Sequence, residues 1–343
     1  MKKSKKRILC WCVSLTLLAM AGAALLYYVF FGGAIREVSH VYVSSKSSYE
    51  DVVAQLQPQF KTPLHRAAFD LYASRLNLSK RFRTGHYKFD EGTNVIRVVR
   101  KIALGEQTPV RLVVKGARTL PQLAGRLSAQ IDADSATLLS AMRNRELRKE
   151  LGFVNDSIIS MFIPNTYEVY WDVSPEKLMH RMKREYNAFW NKDRVAKLER
   201  CRLSKYEVMT LASIIYEEVK AQSDMVLIAG VFINRLREGM PLQACPTVRY
   251  ALGDFTIRRV LNKHLKIDSP FNTYKNTGLP PAPICIPSIV AIDAVLNYTE
   301  HNYLYFCARP EFDGRHNFAR TYEEHRENAR KYTEALDKRG IKK

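Results

Sequence analysis

The stretch Leu211 to Tyr250, LASIIYEEVKAQSDMVLIAGVFINRLREGMPLQACPTVRY, decides how the rest of the chain is read. At about 100° per residue, Val208, Leu211, Ile214, Ile215, Glu218 and Met225 fall on one helical face, so Glu218 is a carboxylate set in an apolar stripe. Glu217 lies on the side that carries Thr210, Ser213 and Lys220 and reads as an ordinary solvated charge. The first helix is expected to end in a loop around Gln222 and Ser223. Ser223 or Asp224 then caps a second helix over MVLIAGVFINRLRE, which Gly239 closes.

A carboxyl group held against Ile214 and Ile215 loses hydration, and desolvation penalises its charged form and raises its pKa. A general acid working near neutral pH needs that shift. The alternative is a structural ion pair, for which Arg235 on the second helix is the obvious partner, since ion pairs also perturb carboxyl pKa values. The pattern leaves both open.

Outward from this core, ASIIYEE is followed by VFINRLREGMPLQACPTVRYALG and then by SPFNTYKNTGLPPAPICIPS, with FIPNTYEVYW at 162–171 and YLYFCARPEFDGRHNF at 303–318. Together these runs resemble the endolytic murein transglycosylases of the YceG-like (MltG) family. The resemblance runs in order from about residue 40 to residue 335. It implies cleavage of the MurNAc–GlcNAc β-1,4 bond of peptidoglycan with a 1,6-anhydroMurNAc end, Glu218 as the catalytic residue, and no metal or cofactor. It further implies a terminase role on nascent strands, with glycan strands as substrate and with synthases and division or elongation proteins as partners. Where this family usually reads Gln-x-Asp-Pro-Thr, the chain has Cys245, so Glu218 is expected to serve alone.

Glycosidases generally pair two carboxylates. A lytic transglycosylase can dispense with the second, because the attacking hydroxyl is the substrate's own C6 oxygen. A muramidase using water, and a non-catalytic cell-wall-binding scaffold, are the alternatives that the residues leave open. A Cys–His pair of Cys245 with His264 or His316 lacks an evident orienting partner, and the histidines lack metal-site spacing.

At the N-terminus, MKKSKKR precedes Ile8 to Phe31, a run of 24 residues without a charge. At about 1.5 Å per residue this exceeds a hydrocarbon core of about 30 Å and is too long for a typical signal-peptide core. It predicts an uncleaved single-pass anchor in the inner membrane. The basic flank stays cytoplasmic and the remainder lies in the periplasm. The net charge is +20, and removing the five cations of the flank leaves +15 on the remainder. Such a surplus calls for anionic surroundings. For an exported domain these are lipid headgroups or a carboxylate-bearing wall polymer, with no nucleic acid. Cys201, Cys245, Cys285 and Cys307 show no framework spacing, and no essential disulfide is expected.

The fold class read from these patterns is α+β: a transmembrane helix, a small α/β subdomain, and a mainly helical mixed α+β catalytic domain. The boundaries are 1–7 for the flank, 8–31 for the anchor, 40–116 for the subdomain and 117–340 for the catalytic domain. VYVSS, two helical stretches, GHYKF, a helix from Asn94 to Leu104 ending in Gly105, and VRLVV at 110–114 build the subdomain. The resemblance implies that it is LysM-like. The aromatic run Phe162 to Trp171, with Tyr167 at its centre, suits either a sugar-binding wall or core. Gln243 to Thr247 and Asn272 to Pro287 read as loops. In these loops Gln243, Asn272, Thr273 and Tyr274 offer polar groups to sugar hydroxyls, and Pro280 offers a stiff wall.

Overall fold

The computed structural model describes residues 2–219, 221–257 and 260–339. Met1 of the flank, Lys220 on the predicted polar face and residue 340 lie outside the described residues, as do the side chains of Lys2 to Lys6. The chain divides into two units. The first comprises residues 1–111 with 130–132 and 168–173, and the second the remainder.

The first unit begins with α1 (Lys2–Phe31), an apolar helix in which Cys10–Phe31 is long enough to cross a membrane. Then come β1 (Ser39–Val43), α2 (Tyr49–Leu56), α3 (Pro63–Arg75), α4 (Leu78–Arg81), β2 (Gly85–Phe89) and α5 (Val95–Leu104). Local chemistry sets these limits. Ser48 and Asp51 make a reciprocal capping box on α2, Asn94 caps α5, and Gly105 takes a positive φ of 72° after its last turn. β1 and β2 pair antiparallel with Val41 opposite Tyr87, and Ser39, Val41 and Val43 point inward. The core joins these strands to Val52, Leu56, Phe69 and Ile102, and the end of α1 enters it through Val29.

β3 (Val110–Val114) does not join this sheet but pairs with β4 (Asn165–Val169), which corrects the expected strand–helix–strand subdomain. Thr108 already serves the free edge of β2. Its N–H donates to the His86 carbonyl at 2.7 Å, and its hydroxyl accepts from Lys88 N–H at 3.3 Å. The next strand must therefore satisfy its backbone elsewhere.

In the second unit, α6 (Leu120–Ser128), α7 (Ser135–Arg143) and α8 (Arg145–Leu151) lead to a 3₁₀ segment at Asn155–Met161. α7 and α8 are separated at Asn144, which ends the first and caps the second. After β4 come α9 (Pro175–Phe189), α10 (Lys192–Cys201), α11 (Lys205–Glu218), α12 (Gln222–Arg237) and α13 (Cys245–Leu252). The chain ends with α14 (Ile289–Leu296), the antiparallel hairpin β5 (Tyr305–Ala308) and β6 (His316–Ala319), and α15 (Tyr322–Lys338).

α11 is the axis of this unit and packs against α12, α13 and α14. Its residues Val208 to Ile215 are all buried, so the helix has no polar face of the kind expected for Thr210 and Ser213. The Ser213 hydroxyl donates to the Thr210 carbonyl and accepts the N–H of Ile284, which fastens the 280–287 loop to the helix. Ile286 N–H reaches the Ala117 carbonyl at 2.8 Å and holds the same loop from the other side.

Candidate active site

Glu218 is the last residue of α11, four residues before α12 begins. The turn is tighter than the sequence suggests: Val219 ends the first helix and Ala221, without a side-chain cap, opens the second. Asp224, one of the two expected caps, instead accepts from the backbone N–H of His316 at 2.7 Å and from its Nδ1 at 2.9 Å. At the far end, Gly239 has φ 65° and Met240 N–H returns to the Arg235 carbonyl, which closes α12 as expected.

Among the described residues, the Glu218 carboxyl has no hydrogen bond and no ion pair with a cation. Burial pushes its pKa from 4.5 up to about 7, against a smaller lowering by the positive charge of Arg249. The C-terminal end of a helix adds to this, since its partial negative charge disfavours a carboxylate, and α11 has no basic residue in its last turn. Arg235, the candidate structural partner, is committed elsewhere. Its Nε donates to the Leu304 carbonyl at 2.6 Å, and its Nη1 to the Pro241 and Leu242 carbonyls at 3.2 and 2.9 Å. The ion-pair alternative for Glu218 is therefore not realised with Arg235.

Glu217 corrects the expectation of a solvated charge. It is partly buried and accepts two hydrogen bonds from Arg118 Nη2, at 3.1 and 2.8 Å. The Arg118 guanidinium also lies over the Phe255 ring, 4.8 Å from its centroid. The two adjacent glutamates thus differ in kind: Glu217 has a cationic partner, and Glu218 has its charged form disfavoured by burial.

Cys245 opens α13 rather than lying in a loop, with Pro246 in the first turn, where a missing N–H costs nothing. Its Sγ lies 3.3 Å from the Tyr274 hydroxyl. Burial raises the Cys245 thiol pKa, and the charge of Glu218 raises it further, so it remains a thiol. Tyr274 is raised as well, by burial first and then by its contact with Cys245. Arg249, one turn beyond Cys245 on α13, is the cation whose field reaches both Glu218 and Cys245. Neither histidine considered for a Cys–His pair serves Cys245: His316 is bonded to Asp224, and His264 Nδ1 accepts from Leu261 N–H.

Of the residues expected to bind sugar, Gln243 is exposed and Tyr274 half-buried. Gln243 holds a left-handed φ of 53° while its N–H donates to the Thr273 carbonyl. Four others are corrected from sugar contact to framework. Asn272 is fully buried and donates to the Leu265 and Ile267 carbonyls. Thr273, 1% exposed, accepts from Ala244 N–H and shares a 2.9 Å hydrogen bond with Thr247. Tyr167 is buried with its hydroxyl on the Ile163 carbonyl, and Pro280 is buried where its neighbour Pro281 is exposed. Buried backbone must be satisfied first, and the side chains of Asn272, Thr273 and Tyr167 do that work. Arg249 and Arg118 were missed by the sequence reading. The first was findable as the i+4 neighbour of Cys245, but the second stands 99 residues from its partner and leaves no local signal.

A model of the YceG-like family matches residues 41–331, and the chain belongs to that family. It is 30% identical over 281 residues to the endolytic murein transglycosylase of Bacillus subtilis (strain 168), covering 77% of each chain. It is 38% identical over 130 residues to the endolytic murein transglycosylase of Streptococcus pneumoniae serotype 2, an alignment spanning 37% of this chain and 23% of that one. The crystal structure of a yceG-like protein from Listeria monocytogenes covers 85% of this chain and 98% of its own at a TM-score of 0.57 and 30% identity.

Proposed function

We propose that the protein is a membrane-anchored lytic transglycosylase that cuts peptidoglycan strands internally, with Glu218 as both acid and base. The observation that carries this reading is a half-buried carboxyl with a pKa near 7 and, among the described residues, no hydrogen-bonding or ion-pair partner. Such a group is protonated often enough to donate and weak enough an acid to take the proton back. Two relatives named endolytic murein transglycosylases support the substrate class.

In this mechanism Glu218 gives its proton to the glycosidic oxygen between MurNAc and GlcNAc as the C1–O bond breaks. Charge that develops at C1 is within reach of the muramyl N-acetyl group. The Glu218 carboxylate then removes the proton of the MurNAc C6 hydroxyl, and O6 closes onto C1 to give the 1,6-anhydro end. No water is consumed, and the proton returns to Glu218. Arg249 keeps the intermediate carboxylate from being prohibitively costly. Gln243 and Tyr274 are the exposed and half-exposed polar groups suited to sugar hydroxyls.

Further parts of the reading are the terminase role, an inner-membrane anchor through α1 with a periplasmic enzyme, and a LysM-like glycan grip built from β1, α2, α3 and β2. They are supported by the 22-residue apolar span and by the helices α2, α3 and α4 placed between the paired strands β1 and β2. Mass spectrometry of products from uncrosslinked glycan tests the chemistry. Wild type should release internal fragments with anhydromuramic ends, and Glu218→Gln should release none. Hydrated reducing ends would instead make the enzyme a muramidase.

A further inference from the structure

A cavity of about 1130 Å³ in the first unit opens beside the end of α1. Phe31, the last residue of that helix, forms part of its wall together with Leu76, Ile96, Ala103 and Leu104. Five cations line the same groove, Lys80, Arg81 and Arg83 around α4 and Arg97 and Arg100 on α5, against a single acid, Glu106. All five are exposed, and none makes an ion pair with an acidic side chain among the described residues. A sequence of this kind does not need the arrangement for folding: α5 buries Val95, Val98, Val99 and Ile102, and Arg97 and Arg100 lie on its other side.

We propose that this groove binds the headgroup of an anionic phospholipid in the leaflet from which α1 emerges. The inference rests on α1 spanning the membrane and not on the glycan chemistry. Cys10–Phe31 is 22 residues long, about 33 Å at 1.5 Å per residue, so Phe31 reaches the edge of the hydrocarbon core, the depth of the headgroups. The phosphate meets arginine forks suited to its oxygens. The glycerol and first methylenes meet Leu76, Ile96 and Leu104, and Leu104 is 62% exposed without them. A bound lipid would therefore hold the first unit at a fixed height against the bilayer.

The test is native mass spectrometry of the full chain in detergent micelles, titrated separately with phosphatidylglycerol, phosphatidylcholine and inorganic phosphate. Wild type should carry phosphatidylglycerol in preference to phosphatidylcholine. The variant Arg81→Gln/Arg97→Gln/Arg100→Gln should lose that binding roughly 100-fold, at about 1 kcal/mol for each cation. A chain with the N-terminal flank neutralised (Lys2, Lys3, Lys5, Lys6 and Arg7→Gln) should keep it. Loss in the flank variant with retention in the groove variant would overturn the proposal, as would equal uptake of the two lipids or binding of inorganic phosphate alone. Glycan cleavage by the groove variant at the wild-type rate checks that it is folded. Should the triple variant be unstable, Arg100→Gln alone should weaken binding several-fold, and no change would count against the site. A full chain that fails to enter micelles would remove the premise, separately from any result on glycan cleavage.

Discussion

Glu218 carries two linked consequences of one placement. Its pKa is raised from 4.5 to about 7, so the folded state binds more protons than the unfolded state between those values. Stability from the protonated form is fully present below pH 4.5 and lost as pH rises through 7, by up to about 3 kcal/mol. Glu218→Gln keeps the shape and removes the ionisation. It should abolish cleavage yet unfold later than wild type at pH 8, and the advantage should vanish by pH 4; matched urea melts at the two pH values check this. The kcat/KM of wild type should fall about tenfold per unit above pH 7 as the acid form is lost. Cys245→Asp tests the neighbouring position. Cys245 lies within the field of Glu218, and a second carboxylate there would disfavour ionisation of the first. The alkaline limb of the pH–rate profile should move upward, and an unmoved limb would place residue 245 outside the electrostatics of the site.

At the scale of elements, the site depends on how tightly α12 is held. Gly230 sits where α12 meets the chain at Thr299 to His301, and a methyl group there would collide with the Thr299 carbonyl and His301 Nε2. His301 Nε2 is bonded to the Leu227 carbonyl at 2.9 Å and Asn234 donates to the His301 carbonyl at 2.7 Å, so neither side can yield cheaply. Gly230→Ala should destabilise by about 1–3 kcal/mol, read as a lower urea midpoint at unchanged slope. The same elements show what the sequence could tell. Ser48, Asn94 and Gly105 mark helix ends because capping is a matter of adjacent residues, and periodicity alone singled out Glu218. Burial of α11 on every side was not legible, because Thr210 and Ser213 satisfy their hydroxyls on their own helix and read as polar. Neither was the pairing of β3 with β4, since it is the N–H and the hydroxyl of Thr108, both bonded to β2, that divert β3 from the nearer strand. The buried roles of Asn272 and Thr273 were hidden for the same reason: an amide that binds a carbonyl of its own loop looks, in sequence, like one that could bind a sugar.

For the molecule as a whole, the question is whether α1 is a loose tether or part of the first unit. Its last turn contributes core: Val29 is only 7% exposed, Phe30 packs against the same cluster, and the Tyr28 ring lies 5.3 Å from that of His65 on α3. After Gly32, Ala34 and Ile35 are fully buried and bond through their N–H groups to the Thr93 carbonyl. With α1 across a bilayer as proposed, a few flexible residues would let the enzyme drift from it, whereas a helix whose end is buried in the unit fixes the unit's approach to it. Two shortened chains separate these cases. One begins at Tyr27 and keeps the buried turn, and the other begins at Gly33 and loses Tyr28, Val29 and Phe30. Loss of buried large side chains costs about 2–5 kcal/mol per well-packed group. The Gly33 chain should therefore unfold at least about 2 kcal/mol below the Tyr27 chain in urea, with amide exchange accelerated in α3 and α5, the helices that α1 touches. Equal stability of the two would mean that α1 only tethers, and the groove beside Phe31 would then have no fixed depth in the membrane.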